Sequence, residues 1–504
     1  MNQKEFARNA VAVCAVSLCM NILGIVFRTY VSNRVGSETM GLLQLVMSVY
    51  LPACTLASSG VYVASTRLCA AALARNDQRV RDILTSCLQY GLCFGICAFL
   101  LLFLGADTIS EHLLSYPQAG VPLKILSFGL PFLSASNALQ GFFLSLRKAS
   151  YSTVLQVTED FFKIAATVYL FSLFSKQGPA TALCAMVAGI AVGEIFSCIC
   201  GYILYLRKSA RLCAPRERSK ENYLTQVAKI ALPCAFGGYL RTGIGMIENI
   251  LVPKGLEASG LTAEQTLAAL GKFEGMALPL LIFPASFLAV VSKLLVPEIA
   301  AEHAIGNDAE NKKTTENILT WTVVYAIFVA CFAFLFGKNL GEEVYSDPTC
   351  GAYLTRLAPL VPILYADRVT DGMMKGYDRQ ITTVKINLLD TAVRTLGALF
   401  ILPKTGIEGY IGIFCAGTVL NFILSFLSLK RAGNIRFPFR RGVLRGGLAA
   451  LAALLPIKII EMTTRLSVWA ALGIGFPLFL LFAVGLSNGG ERHLRSLTRS
   501  IRNS

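Results

Sequence analysis

The chain has 504 residues, of which 55% are hydrophobic and only 15% charged, and its mean hydropathy is +0.60. Soluble chains are about one quarter charged, so this composition excludes a soluble enzyme or soluble binding module and dictates a polytopic membrane protein. The net charge of +16 would suit nucleic acid only if it were clustered in a soluble domain, and the connecting segments are too short to form one.

Apolar runs recur at the ~20-residue length that crosses a bilayer. Fourteen such spans are expected, at 10–33, 41–65, 83–105, 121–145, 151–174, 180–206, 223–253, 272–297, 315–337, 353–375, 381–403, 406–430, 441–460 and 467–487. The first begins after Lys4 and Arg8 like a signal peptide. It runs past the usual apolar length without a small-x-small cleavage site, so it is read as a span. With the N-terminus inside, roughly 28 Lys and Arg fall on the cytoplasmic side against about 7 outside, a decisive orientation signal. The richest inner segments are RKSARLCAPRERSK at 207–220 and KRAGNIRFPFRRGVLR at 430–445. Both termini are expected to be cytoplasmic, in a multi-pass protein of the cell membrane, with no nucleic-acid partner.

Most of the fifteen cysteines fall inside spans, and Cys350 sits in an outer loop. Burial preference makes them packing residues. None shows the paired spacing of a metal or redox centre. The three histidines lie outside the spans, which argues against a histidine relay. No Walker-type phosphate loop is present, so neither ATP nor another cofactor is expected. The steps Gly91 to Gly95 and Gly189 to Gly193 read as close helix packing.

The chain reads as six spans repeated, followed by two more. YLPACTLASS at 50–59 aligns with IFPASFLAVV at 282–291, and STVLQVTEDFFKI at 152–164 with TTVKINLLDTAVR at 382–394. The second alignment brings Asp160 onto Asp390. The expected partition is an N-terminal six-helix lobe at 1–206, a basic cytoplasmic linker at 207–222, a C-terminal six-helix lobe at 223–430, and two extra helices with a basic tail at 431–504. Six spans per half give both halves one orientation, so the pseudo-twofold lies along the membrane normal.

Span eight, ALPLLIFPASFLAVVSKLLVPE at 277–298, contains Pro279, Pro284, Pro297 and Lys293. Proline-broken helices mark a transporter's central site, because irregular backbone at membrane depth needs a protein or water partner. Pro279 and Pro284 are the expected hinge. Of the intramembrane charges, Asp160 with Lys163 and Asp390 with Arg394 are spaced to pair along one helix face. Arg28 and Arg241 have no acid within four residues on their own helices, and Glu248 is one candidate partner. A guanidinium left free in a cavity receives phosphate or carboxylate oxygens in its planar fork. Lys293 either lines the same wet face or snorkels to the cytoplasmic surface. Glu194, Glu248 and Asp390 are the candidate ion-coupling acids.

The stretches LGIVFRTYVSNRVGSETMGLLQL (23–45), LVPKGLEASGLT (251–262), GKFEGMALPLLIFPASFLAVVSKLLVPEIAAE (271–302) and GIEGYIGIFCAGTVLNFILSFLSL (406–429) resemble the stage V sporulation protein B group. That group lies in the polysaccharide-transport branch of the multidrug/oligosaccharidyl-lipid/polysaccharide exporter superfamily. The resemblance implies two six-helix lobes around a central cavity, plus two C-terminal helices. It further implies ATP-independent flipping of a polyprenyl-diphosphate-linked saccharide for cell wall or spore cortex, by alternating access. On that resemblance Arg28 falls where flippase arginines engage the diphosphate, and Arg67 where a basic residue ends the second span. Arg28, Arg241, Arg67 and Lys293 are thus the expected substrate contacts, with Na⁺ or H⁺ as the candidate coupling ion. The other open readings are a cation-coupled multidrug exporter of the same fold and a membrane enzyme of lipid-linked sugar metabolism.

Overall fold

The computed structural model describes residues 3–74, 80–146, 149–174, 179–212, 223–288, 299, 308–377, 379–464 and 467–485. Lys293, Pro297 and the basic segment 213–222 lie outside the described residues. The described chain is helical with no strand. Its helices are α1 (Gln3–Ser58), α2 (Val61–Ala74), α3 (Val80–Thr108), α4 (Gly120–Ser127), α5 (Leu130–Ser145), α6 (Ala149–Phe174), α7 (Pro179–Leu212), α8 (Tyr223–Ala258) and α9 (Ala263–Leu270). After a π-helical segment at Gly271–Ala277 come α10 (Leu278–Ile282), α11 (Asp308–Tyr345), α12 (Pro348–Leu357), α13 (Val361–Gly376), α14 (Gln380–Phe400), α15 (Leu402–Gly433), α16 (Arg445–Thr464) and α17 (Val468–Gly485).

Among the described residues, eight helical runs are long and apolar enough to cross a membrane, or nine counting the bent pair at 117–145. One of the eight, Ala15–Leu73, holds 59 residues. At ~1.5 Å per residue that is about 88 Å of helix, far more than one ~30 Å hydrocarbon layer. It breaks at Gly36, with φ 79° and ψ 173°, and so supplies the first two expected spans. The bent pair turns by 42° where Pro131, at the start of α5, removes a helix hydrogen bond. The remaining expected spans, 151–174, 272–297, 353–375 and 381–403, are also largely helical where described, the second with a break at 283–284. They carry several of the intramembrane charges. The all-α polytopic reading is borne out. Large side chains such as Leu104 at 74%, Met462 at 79% and Leu481 at 68% exposure form the surface that a soluble fold would have to bury and that lipid accepts.

The chain clusters into two compact units. One comprises residues 15–27 and 34–271, the other 1–14, 28–33 and 272–504. In the first, Leu84, Cys87, Leu139, Phe142, Phe143, Leu155, Val227 and Ala231 form one core, which takes in α8 as well as the helices before it. The reason is visible at Gly60, whose φ is +73° and where a Cβ would lie 2.3 Å from the carbonyl oxygen of Ala231. Only glycine permits both that turn and that approach. The boundary between units follows Gly271, while the duplication read from the sequence divides the chain at 207–222.

The second unit holds two main cores. Val323, Phe328, Phe336, Ala450, Leu454 and Phe479 join α11 to the C-terminal pair α16 and α17. Ile299, Leu319, Val369, Met373, Met374 and Leu429 join α11, α13 and α15. Local signals fix several ends. Thr262 and Gln265 form a reciprocal capping box at α9. Asp347 caps α12 by accepting from the Thr349 amide at 2.7 Å. Asn434, at φ 50°, closes α15 after Lys430 and Arg431, whose charge suits the carbonyl end of a helix.

Candidate functional site

Span eight opens as a π-turn and breaks again at Phe283–Pro284. Pro279 has no amide hydrogen, so the Gly275 carbonyl lacks its ordinary donor four residues on. Arg28 fills the gap: its Nε donates to Gly275 O at 2.9 Å, and Nη2 donates to Glu274 O at 3.4 Å. The neighbouring carbonyls are held in the same manner. Tyr345 donates its hydroxyl to Met276 O at 3.1 Å, Tyr365 to Leu281 O at 2.7 Å, and Tyr325 to Pro284 O at 3.1 Å. A helix twice broken at membrane depth is therefore satisfied by one guanidinium and three phenols.

Arg28 is half-buried. Its guanidinium and the Glu274 carboxylate attract one another, and the Tyr410 hydroxyl donates to that carboxylate. Phe273 packs edge-on against Tyr353, Tyr410 and Phe414, which fixes the turn from its other side. At the end outside the membrane, Lys272 pairs with Asp347 at 2.8 Å. Burial of Asp347 works against ionisation, but the bonds from Lys272 and Thr349 prevail and hold its carboxyl below the usual value. Cys350 is fully buried against Lys272 and Met276, and burial pushes its thiol up to about 12. The outer-loop cysteine is therefore a packing residue.

The other expected contacts among the described residues belong to the first unit. Arg67 is exposed on α2 and Arg241 is exposed on α8. Around Arg241 a Cβ at Gly237, Gly243 or Gly245 would meet nothing within 4 Å, so that stretch borders open space. Glu248 is half-buried farther along α8.

Two further charge centres lie on helix pairs. On α6, Lys163 pairs with Asp160. On α7, Glu194 is 8% exposed and its Oε2 has no hydrogen bond among the described residues. Glu159 and Asp160 repel Glu194 and Lys163 attracts it. A Cβ at Gly193 would come 2.7 Å from Glu159 O, and one at Gly189 2.0 Å from Thr167 Oγ1, so this glycine step packs α7 tightly on α6. On α14, Arg394 Nε pairs with Asp390 Oδ1 at 3.0 Å, Nη2 donates to Thr418 at 3.2 Å, and the Phe414 ring lies 5.0 Å away. Asn421 donates to Asn387 at 3.0 Å and accepts from Ser425 at 3.3 Å.

Both helix-spaced ion pairs read from the sequence are made. Glu274, Tyr345, Tyr365, Tyr325 and Tyr410 were not foreseen. The tyrosines act on backbone carbonyls, which no sequence pattern displays. Glu274 had a signal: an acid set between glycines at the opening of a proline-broken span.

A family model described as "Polysaccharide biosynthesis protein" matches residues 6–253. The chain is 23% identical over 446 residues to "Stage V sporulation protein B" of Bacillus subtilis (strain 168), covering 86% of this chain and 85% of that one. Among solved structures it is similar to "Lipid II flippase MurJ, inward closed conformation", with TM-score 0.72, 12% identity, and coverage of 94% and 98% of the two chains. It is also similar to a multidrug resistance MATE family transporter of the MOP superfamily in its inward-facing conformation, with TM-score 0.63, 14% identity, and coverage of 85% and 98%. The fold is that of these transporters. Over most of its length the chain is thus similar to a stage V sporulation protein, and its N-terminal residues 6–253 match the polysaccharide biosynthesis family.

Proposed function

We propose that this protein moves a polyprenyl-diphosphate-linked saccharide across the cell membrane by alternating access, without nucleotide hydrolysis and without acting as an enzyme. A saccharide diphosphate cannot cross hydrocarbon unaided, because its charges and hydroxyls would lose their water. The observation that carries the reading is Arg28. Its guanidinium sits in a broken span on neutral carbonyls, where an anion can compete for its donors. The similarity to a sporulation protein and to a lipid II flippase supports the same substrate class. Arg241, with open space beside it, and Arg67 are the second-rank cationic contacts. The related halves 1–206 and 223–430 are the lobes that alternate, Pro279 and Pro284 form the hinge, and both termini face the cytoplasm.

The carboxylate of Glu194, buried with an unbonded oxygen, favours a second reading, a cation-coupled exporter. In the flippase reading, Glu194 is the candidate for Na⁺ or H⁺ coupling.

Purified protein in nucleotide-free liposomes distinguishes the two. The flippase reading expects transbilayer movement of an undecaprenyl-diphosphate saccharide, unchanged by ATP. Pro284→Ala should slow the movement while substrate binding persists. Liposomes that move no lipid-linked saccharide yet exchange cationic dyes for Na⁺ or H⁺ establish the exporter instead.

A further inference from the structure

Arg28 holds span eight together with the same guanidinium that the proposed function assigns to the diphosphate. Two of its five N–H donors serve Gly275 O and Glu274 O. Gly275 is buried, and Pro279 removes the amide that would otherwise serve its carbonyl. Of the ordinary helical donors, the one four residues on is thus missing when Arg28 leaves. A phosphate oxygen forms charge-assisted bonds with a guanidinium, roughly twice as strong as those of a neutral carbonyl.

We propose that Arg28 is a partner-exchanging latch: an anionic diphosphate headgroup draws its N–H donors off the Gly275 and Glu274 carbonyls, and the loss of that strap loosens the π-turn at 271–277 so that span eight can bend. The inference rests on the flippase reading and deepens it, because it couples occupancy to the hinge through one side chain. Tyr345 on Met276, Tyr365 on Leu281 and Tyr325 on Pro284 stay in place, so the span loosens at its first break without losing its attachment. Glu274 gives the exchange a direction. Its carboxylate, held by Tyr410, attracts Arg28 and repels an arriving phosphate, so the guanidinium is drawn back when the headgroup departs. Arg28 is a positioning residue for the conformational step as well as a binding group.

Hydrogen–deuterium exchange on the full chain in lipid nanodiscs tests this, with undecaprenyl diphosphate as the probe, inorganic pyrophosphate as a headgroup-only arm, and binding measured on the same samples. A ligand usually slows exchange where it binds. Here the amides of residues 276–283 should exchange about three- to tenfold faster with the probe bound, the effect of losing one net hydrogen bond. Pyrophosphate should reproduce the effect if the headgroup suffices, and leave exchange unchanged if the prenyl tail must deliver it. Arg28→Gln should show fast exchange at 276–283 without probe and no further change with it. Tyr345→Phe, which leaves the guanidinium intact, should raise the basal rate and retain the response to probe. Bound probe that slows exchange at 276–283, or leaves it unchanged, overturns the latch while the flippase reading stands. Absence of binding overturns both.

Discussion

On α6, Asp160 meets Lys163 one turn on; on α14, Asp390 meets Arg394 one turn on. The sequence alignment of 152–164 with 382–394 sets the two pairs side by side, and their surroundings differ. Around Asp390 the guanidinium also reaches Thr418 and lies against Phe414, while Asn387, Asn421 and Ser425 bond among themselves. Around Asp160 the adjoining helix adds Glu194, so that three carboxylates, counting Glu159, face one ammonium. The first arrangement is hydrogen-bonded around the pair, and the Asp367 carboxyl of α13 is repelled by Asp390 and attracted by Arg394. Among the described residues each pair adjoins a buried carboxyl oxygen without a hydrogen bond, Glu194 Oε2 in the second and Asp367 Oδ1 in the first, and the second differs in having three carboxylates around one ammonium.

The largest effect should come from breaking the Asp390–Arg394 pair. Asp390→Leu leaves the half-buried Arg394 guanidinium without its hydrogen-bonded carboxylate, a loss of about 3 kcal/mol. The double variant Asp390→Leu with Arg394→Met should recover most of it. Melting of the purified protein in detergent checks both, and an unchanged melting point for the single variant breaks the comparison. Gly417→Ala is next. The added Cβ would stand 2.5 Å from Arg394 Nε and 2.7 Å from Asp390 Oδ1, an overpacking cost of about 1–3 kcal/mol on the same melting scale.

Glu194→Gln should behave differently. It keeps the size and polarity of the side chain and takes away its titratable proton, so the melting point should stay within about 1 kcal/mol of the parent, while the dependence of transport on Na⁺ or pH is lost. If it destabilises the protein as much as Asp390→Leu does, Glu194 belongs to the framework. The smallest effect is expected at Asp347, outside the membrane. Its folded-state pKa is lowered, so the stabilisation is present above the unfolded carboxyl value of about 3.9 and is lost as pH falls through the folded value. Asp347→Asn should cost about 1 kcal/mol or less at neutral pH and flatten the acid limb of the melting profile.

Side-chain partners separated by one helical turn were legible in the sequence. Asp160 with Lys163 and Asp390 with Arg394 follow from helix geometry alone. Length, hydropathy and the proline breaks likewise gave the helical membrane fold. Arg28 was legible as a cation in a span, but its partners were not, because they are carbonyls exposed by a π-turn and by Pro279. The tyrosines that hold the other carbonyls come from α11 and α13, more than 40 residues away in sequence. Such contacts exist only once the tertiary packing is formed. Cys350, read as a packing residue in a short outer loop, is folded by α12 against Met276. A surface probe of orientation is better placed at Glu111 and Lys430, both exposed. In a background without accessible thiols, Glu111→Cys should react with an impermeant maleimide in intact cells and Lys430→Cys only after permeabilisation. The reverse pattern inverts the topology.

The most direct measurement follows one lipid through one membrane. A fluorescent undecaprenyl-diphosphate saccharide is built into both leaflets of nucleotide-free proteoliposomes, and a membrane-impermeant quencher is added outside. The account predicts that signal from the inner leaflet decays in vesicles containing the protein, at a rate that ATP does not alter and that Arg28→Gln strongly reduces, with half the lipid staying protected in empty vesicles. Protection of half the lipid in vesicles that hold correctly folded protein, across a panel of lipid-linked saccharides, would contradict it.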